Sequence, residues 1–293
     1  MRSATRILFS FRIGSHGQRF MLDVGLRREL PTTTANGAVI VATTGGINGG
    51  SPWLVSSPLR IHFMNRIIVA LDVDSRAEAL SLVSRLKGRV GLFKIGSQLF
   101  TSEGPEFVRE IVHQGEKVFL DLKFHDIPNT VTKAVLAAAG LGVSMLTLHT
   151  GGGLKMMSAA ANALKQMRGA SERPQLLGVT VLTSLANEDL VQVGVSVGAA
   201  SQVARLAKLA EEAGLDGVVA SPSELSLLRA QLGKAMKIVT PGIRPAGSEV
   251  NDQSRIATPA AALQAGADYL VIGRPITASS DPAASLEKIL REL

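Results

Sequence analysis

Ile67-Ile68-Val69-Ala70-Leu71-Asp72-Val73-Asp74-Ser75 is the stretch that decides the fold. Its first five residues are apolar without alternation, the pattern of a strand buried on both faces. A short turn without glycine follows, Asp72 to Ser75. Arg76–Lys87 then carries Leu80, Val83 and Leu86 at i, i+3 and i+6, which makes a helix with one apolar side. A doubly buried strand leading into an amphipathic helix is the unit of a parallel α/β fold. A doubly wound sheet uses the same unit but places a glycine-rich phosphate turn after its first strand. That turn is missing here, which favours the other closure of the same unit.

Downstream the unit repeats. Strand-like runs occupy Ile67–Leu71, Val90–Ile95, Lys117–Asp121, Ser144–Leu148, Gln175–Val181, Asp216–Ala220, Met236–Thr240 and Asp268–Ile272. Between them lie helix-like runs at Arg76–Lys87, Glu106–Gln114, Thr130–Ala139, Leu154–Met167, Ala199–Ala213, Pro222–Gln231 and Pro259–Ala265, and Asp281–Glu292 closes the chain. Eight such units in about 230 residues match a (β/α)8 TIM barrel, an α/β fold, over residues 65–293.

Residues 1–64 differ in texture and are read as an N-terminal extension. Residues 1–63 carry seven Arg against Asp23 and Glu29, whereas the remaining chain holds 24 basic and 22 acidic side chains. The formal charge of +7 is therefore mostly a property of the front, and the body gives no electrostatic argument for nucleic acid. Leu30 to Leu59 has no charge, and within it only Ala38–Ala42 reads as a strand. A secretory signal fits badly, because Arg6, Arg12 and Arg19 interrupt any apolar core. The front reads instead as a disordered tail, a transit peptide, or translation upstream of a start at Met64, which directly precedes Asn65-Arg66. The longest strongly apolar stretch, Ala134–Leu148, has 15 residues broken by Gly140 and Gly142. A spanning helix needs roughly 20, so no membrane role is expected. The chain contains no Cys. That excludes disulfides, thiolate zinc sites and a Cys nucleophile, and it fits a cytoplasmic protein.

A barrel of this kind builds its active site at the C-terminal ends of its strands. Strand 1 ends at Asp72, strand 2 contains Lys94, and strand 3 ends Asp121-Leu122-Lys123 with Asp126 close behind. Asp121 and Lys123, two apart on an extended strand, share a face. If that face is the interior, Lys94 and Asp72 can join them, and opposite neighbours stabilise each other's charge. A fixed ammonium in a dry site suits stabilising a carbanion and then protonating it. The bland alternative is an ion-pair girdle capping the barrel. Strand 4 ends at His149, expected as a hydrogen-bonded barrel residue rather than a metal ligand. His125 is expected as a partly exposed loop residue, and Met156-Met157 as packing.

Strand 5 runs into Thr183-Ser184, strand 7 into Pro241-Gly242-Ile243-Arg244, and strand 8 into Gly273-Arg274. Loops after strands 7 and 8 of such barrels often hold phosphate with backbone N–H groups and a forked Arg. Gly242–Thr258 is long for a compact domain and reads as a lid over that phosphate. No HExxH motif, Walker loop or nicotinamide fingerprint is present.

With these residues in place, the chain resembles orotidine 5′-phosphate decarboxylase. The resemblance lies in Ile68–Asp72, Phe93–Gly96, Phe119–Thr130, Val239–Arg244, Asn251-Asp252-Gln253 and Val271–Pro275. The Asp-x-Lys-x-x-Asp pattern alone is shared with sister enzymes, whereas the full set is specific. The resemblance covers about Arg66 to Leu293 and leaves residues 1–64 without a counterpart. It implies decarboxylation of orotidine 5′-monophosphate to UMP, the last step of de novo pyrimidine synthesis, without metal or organic cofactor. It assigns the catalytic array to Lys94, Asp121, Lys123 and Asp126, with Asp126 supplied by the partner in a homodimer. Asp72 and Lys94 would meet the ribose, Thr183 or Ser184 the pyrimidine, Gln253 both base and phosphate, and Arg244 and Arg274 the phosphate. Ile127, Thr130, Pro241 and Gly273 would complete the substrate contacts. The nearest alternative is a Mg2+-dependent sister, a 3-keto-L-gulonate 6-phosphate decarboxylase or hexulose phosphate synthase. Such enzymes carry an acidic residue where Lys94 stands. A second alternative is a non-catalytic phosphate-binding barrel, which would be expected to break the charged array.

Overall fold

The computed structural model describes residues 58–167, 173–245 and 256–293, together with four short strands in the front segment. Eight parallel strands close into a barrel: β1 Ile67–Ala70, β2 Leu92–Gly96, β3 Val118–Phe124, β4 Met145–His149, β5 Gln175–Val179, β6 Gly217–Val219, β7 Lys237–Thr240 and β8 Tyr269–Ile272. Each strand pairs with its sequence neighbours, and β8 returns to β1 through Leu270↔Ile67 and Ile272↔Val69. The helices are α1 Pro58–Met64, α2 Arg76–Leu86, α3 Ser97–His113, α4 Pro128–Ala139, α5 Gly153–Lys165, α6 Asn187–Gln192, α7 Ala199–Glu212, α8 Leu225–Gln231, α9 Pro259–Gln264, α10 Arg274–Thr277 and α11 Pro282–Arg291. All eight expected strands are present.

The strands are apolar on both faces because two cores share them. Ile67, Val69, Phe93, Ile95, Leu120 and Leu146 face outward and pack beneath the helices. Ile68, Ala70, Leu92, Phe119, Met145, Leu177, Val239 and Val271 fill the barrel interior. Because side chains alternate along a strand, this inner layer fixes which later residues face the lumen. Lys94 is two beyond Leu92, Asp121 two beyond Phe119, and Thr147 two beyond Met145. The polar groups stand directly above an apolar plug.

Three details depart from the sequence reading. Helix α3 begins at Ser97 rather than Glu106, because its two halves are joined through Gly104 at φ 71° with Pro105 starting the second. The short helices α6 and α10 were not expected. The compact unit that holds the barrel runs from Ser56 to Leu293, and helix α1 within it was not expected. Helix α1 belongs to it because the Arg60 guanidinium donates to both carboxylate oxygens of Glu287 on α11, at 2.5 and 2.6 Å.

Met1–Val55 forms a separate unit. In it Ile7–Ser10 pairs antiparallel with Arg19–Leu22, and Thr34–Ala35 with Ala38–Val39. The expected strand at Ala38–Ala42 is met at Ala38–Val39, its last three residues lying outside the described residues, whereas the first pair was not expected. Among the described residues no helix is long and apolar enough to cross a membrane.

Candidate active site

At the C-terminal mouth of the barrel lies a cavity of about 450 Å³. Asp72, Lys94, Asp121, Lys123, Thr183, Pro241, Gly242, Arg244, Gly273 and Arg274 line it, over a floor that includes Ala70, Phe119 and Val271. The strand-end charges therefore converge on one concave site, not on a girdle around the rim.

The charges form an unbroken alternating chain. Lys94 Nζ lies 2.8 Å from Asp72 Oδ1 and 3.9 Å from Asp121 Oδ2. Asp121 Oδ2 in turn accepts from Lys123 Nζ at 2.9 Å. Lys94 and Asp121 are buried, whereas Asp72 is open to solvent. Buried charges of this kind persist only when paired. Gly96 makes room for the chain, since a Cβ there would stand 3.2 Å from Lys94 Nζ and 3.4 Å from Asp72 Oδ1. Gly96 entered the sequence reading only as part of the Phe93–Gly96 resemblance and had no role assigned, although a glycine in a strand interior signals close approach.

Lys123 is reached by a break in the sheet. The β3–β4 ladder runs Phe119↔Met145 and Leu120↔Leu146, then resumes only at Phe124↔Leu148. Over this interval β3 carries two residues more than β4. Lys123 sits in the bulge at φ 52°, and among the described residues it is the one non-glycine residue with positive φ. Bulges re-aim side chains next to active sites, and backbone strain concentrates there.

At the other side of the mouth, Arg244 is buried and donates through Nη1 to the Ile243 carbonyl at 2.9 Å. Its buried Nε has no hydrogen-bond partner among the described residues. Burial, and then the adjacent Arg274 charge, lower the pKa of Arg244. Two cations held together in a cavity, one with an unused buried donor, suit an anion carrying more than one negative charge. The loop that bears Arg244 is pinned at both ends by the Ile243↔Ala257 bridge and by Arg244 N–H to Ala257 O at 2.9 Å. Residues 246–255 lie outside the described residues, and with them Gln253 and the middle of the expected lid.

Asp126, Ile127 and Thr130 are exposed and do not line the cavity within the single chain. Asp126 Oδ1 accepts from the Ile127 N–H at 2.6 Å, ahead of α4. Ile127 keeps 66% of its surface exposed. Ser184 is likewise exposed and outside the lining, whereas Thr183 is part of it. His149 is hydrogen-bonded as expected, its Nδ1 accepting from Gly151 N–H at 3.2 Å. It stacks on the exposed His125 with ring centroids 5.3 Å apart. Met156 and Met157 are fully buried in the core.

Residues 65–289 match the profile of the Orotidine 5′-phosphate decarboxylase / HUMPS family. The chain is 55% identical over 224 residues to the orotidine 5′-phosphate decarboxylase of Vibrio campbellii, covering 76% of this chain and 95% of that one. The enzyme of the same name from Syntrophotalea carbinolica is 54% identical, over 80% of this chain and 96% of its own. Among solved structures, the orotidine 5′-phosphate decarboxylase of Lactobacillus acidophilus superposes with a TM-score of 0.68 at 39% identity, covering 77% of this chain and 97% of that one. The charged strand ends, the cavity they share and these likenesses agree: the chain belongs to the orotidine 5′-phosphate decarboxylase / HUMPS family.

Proposed function

We propose that this chain decarboxylates orotidine 5′-monophosphate to UMP and CO2, the last step of de novo pyrimidine synthesis. The relatives at 53–55% identity bear that activity as their name. The observation in this molecule that carries the reading is the alternating chain Asp72–Lys94–Asp121–Lys123.

In this mechanism Arg244 and Arg274 hold the phosphate, while Asp72 and Lys94 meet the ribose hydroxyls. Thr183 and Pro241 border the base, with Ser184 and Gln253 in reach, and Gly273 lets the backbone approach. The substrate carboxylate is set beside Asp121. The C6–carboxylate bond breaks, CO2 departs, and the electron pair stays on C6. The Lys123 ammonium stabilises that pair and then transfers a proton from Nζ to C6, giving UMP. Lys123 regains its proton from water. Phosphate contacts are remote from the breaking bond, yet their binding energy can be spent on holding carboxylate against carboxylate.

The alternative is the Mg2+-dependent sister activity, a 3-keto-L-gulonate 6-phosphate decarboxylase or hexulose phosphate synthase. Lys94 argues against that branch. Its ammonium occupies the space between Asp72 and Asp121, where a divalent ion would otherwise find its carboxylates. A non-catalytic barrel is disfavoured by the intact array.

We place Asp126, Ile127 and Thr130 in the active site of a partner copy, so that the enzyme works as a homodimer. Their exposure on the mouth side of β3, with Ile127 two-thirds open, supports this. The absence of Cys is in keeping with a cytoplasmic location. The deciding experiment is an absorbance assay on orotidine 5′-monophosphate with EDTA present. Metal-independent loss of substrate is expected, and a requirement for Mg2+ would overturn the reading.

A further inference from the structure

Thr147 lies on β4, two residues beyond the interior Met145, and is fully buried. It is not among the cavity-lining residues. Its hydroxyl is used twice. Oγ1 accepts the backbone N–H of Lys123 at 2.9 Å and donates to Asp121 Oδ1 at 2.9 Å. Because a carboxylate only accepts and an N–H only donates, the direction of both bonds is fixed.

These bonds fall where the β3–β4 ladder is interrupted, between Leu120 and Phe124. In the bulge the Lys123 N–H takes the hydroxyl of the neighbouring strand in place of a ladder carbonyl. The same hydroxyl claims one oxygen of Asp121, which leaves Oδ2 to Lys123 Nζ at 2.9 Å and Lys94 Nζ at 3.9 Å. One buried side chain thus ties down both the strained backbone of the lysine and the carboxylate that aims its ammonium.

We infer that Thr147 is a positioning residue for decarboxylation: its hydroxyl holds the β3 bulge in the conformation that places Lys123 Nζ and Asp121 against the reacting carbon. It rests on the reaction proposed above. It acts only through Asp121 and Lys123, because it does not reach the cavity. A valine of nearly the same shape leaves the Lys123 N–H and Asp121 Oδ1 buried without partners, so the bulge relaxes. The phosphate grip, in the segments that follow β7 and β8, is untouched.

The competing view, that Thr147 merely fills space, makes the opposite ranking. Valine keeps the shape and serine loses a buried methyl, so packing favours Thr147→Val over Thr147→Ser. Positioning favours serine, which keeps the hydroxyl. Three variants of the full chain test this, Thr147→Val, Thr147→Ser and Thr147→Ala, each read by kcat, KM, urea midpoint and hydrogen exchange at the Lys123 amide. We expect Thr147→Val to lower kcat by about 100-fold, the scale of a small misplacement of a catalytic group, with KM little changed. The Lys123 amide should exchange about tenfold faster in that variant, as befits one lost hydrogen bond. Thr147→Ser should stay near wild type in both readouts. Should Thr147→Val not fold, the Ser–Ala pair isolates the hydroxyl, because both lack the methyl. Wild-type kcat and unchanged Lys123 exchange in Thr147→Val, or equal loss in the serine and alanine variants, would overturn the inference. If the wild-type chain does not consume orotidine 5′-monophosphate, the reaction proposal fails by itself, and the exchange measurement still decides whether Thr147 holds Lys123.

Discussion

Lys123 and Arg274 stand at two ends of one cavity and should fail in different ways when truncated. Lys123→Ala removes the group proposed to act in the transition state. It should lower kcat by at least about 1,000-fold while UMP still binds, because loss of a transition-state interaction shows in kcat rather than in ground-state affinity. Arg274→Ala removes a proposed phosphate contact and should chiefly raise KM. Steady-state kinetics with a UMP titration separates the two. His149 offers a pH test. Burial, and then electrostatic repulsion from His125 and Lys123, hold its pKa below the ordinary value. As pH falls through about 6.5 the unfolded chain protonates this residue while the folded chain resists. The unfolded state then binds more protons, so stability declines with falling pH until the lower folded pKa is reached. Urea midpoints at about pH 7.5 and about pH 5.5 should differ more in wild type than in His149→Asn, which has no titrating group there. The charged array was legible because Lys and Asp at strand ends are conspicuous and the two-residue period gives their face. Thr147 was not. A single Thr in an apolar strand is an ordinary β-former, and its role exists only because β3 bulges beside it.

At the scale of elements, the strands were the most readable part because parallel strands covered on both sides are nearly uniform in apolarity. The ends of helices were less so. Gly104 and Pro105 look like a helix start, and they are, but of the second half of α3; the first half ends just before them. The short helix α1 ahead of the first strand was not read for a related reason. Pro58–Met64 has too few residues to show a period, and its attachment includes the ion pair of Arg60 with Glu287, both about three-quarters buried. A chain shortened to begin at Met64 loses that contact. It should be less stable by about 1 kcal/mol, the upper end for a pair near the surface, with kcat unchanged. The urea midpoint of the shortened chain against the full chain measures the first, and turnover measures the second.

For the molecule as a whole, the net charge of +7 proved to be a poor guide, since it accumulates in the front segment and the site uses balanced pairs. Oligomer chemistry was not visible in composition either. The dimer proposed above rests on the place of Asp126, Ile127 and Thr130, which lie outside the cavity of their own chain. If sites are shared across a two-fold dimer, Lys123→Ala and Asp126→Ala subunits complement each other. Each hybrid then holds one intact site, so random exchange of equal amounts should restore about a quarter of wild-type activity. No recovery would return Asp126 to its own chain. The left-handed backbone at Lys123 has a consequence for the history and redesign of this barrel. By conformational preference alone that position belongs to glycine, which carries no penalty there. Every other non-glycine residue described avoids that region. Any procedure that rewards only folding, whether drift in a silenced copy or a sequence-design calculation, will therefore tend to erase the reactive lysine first. Only demand for the product keeps it in place.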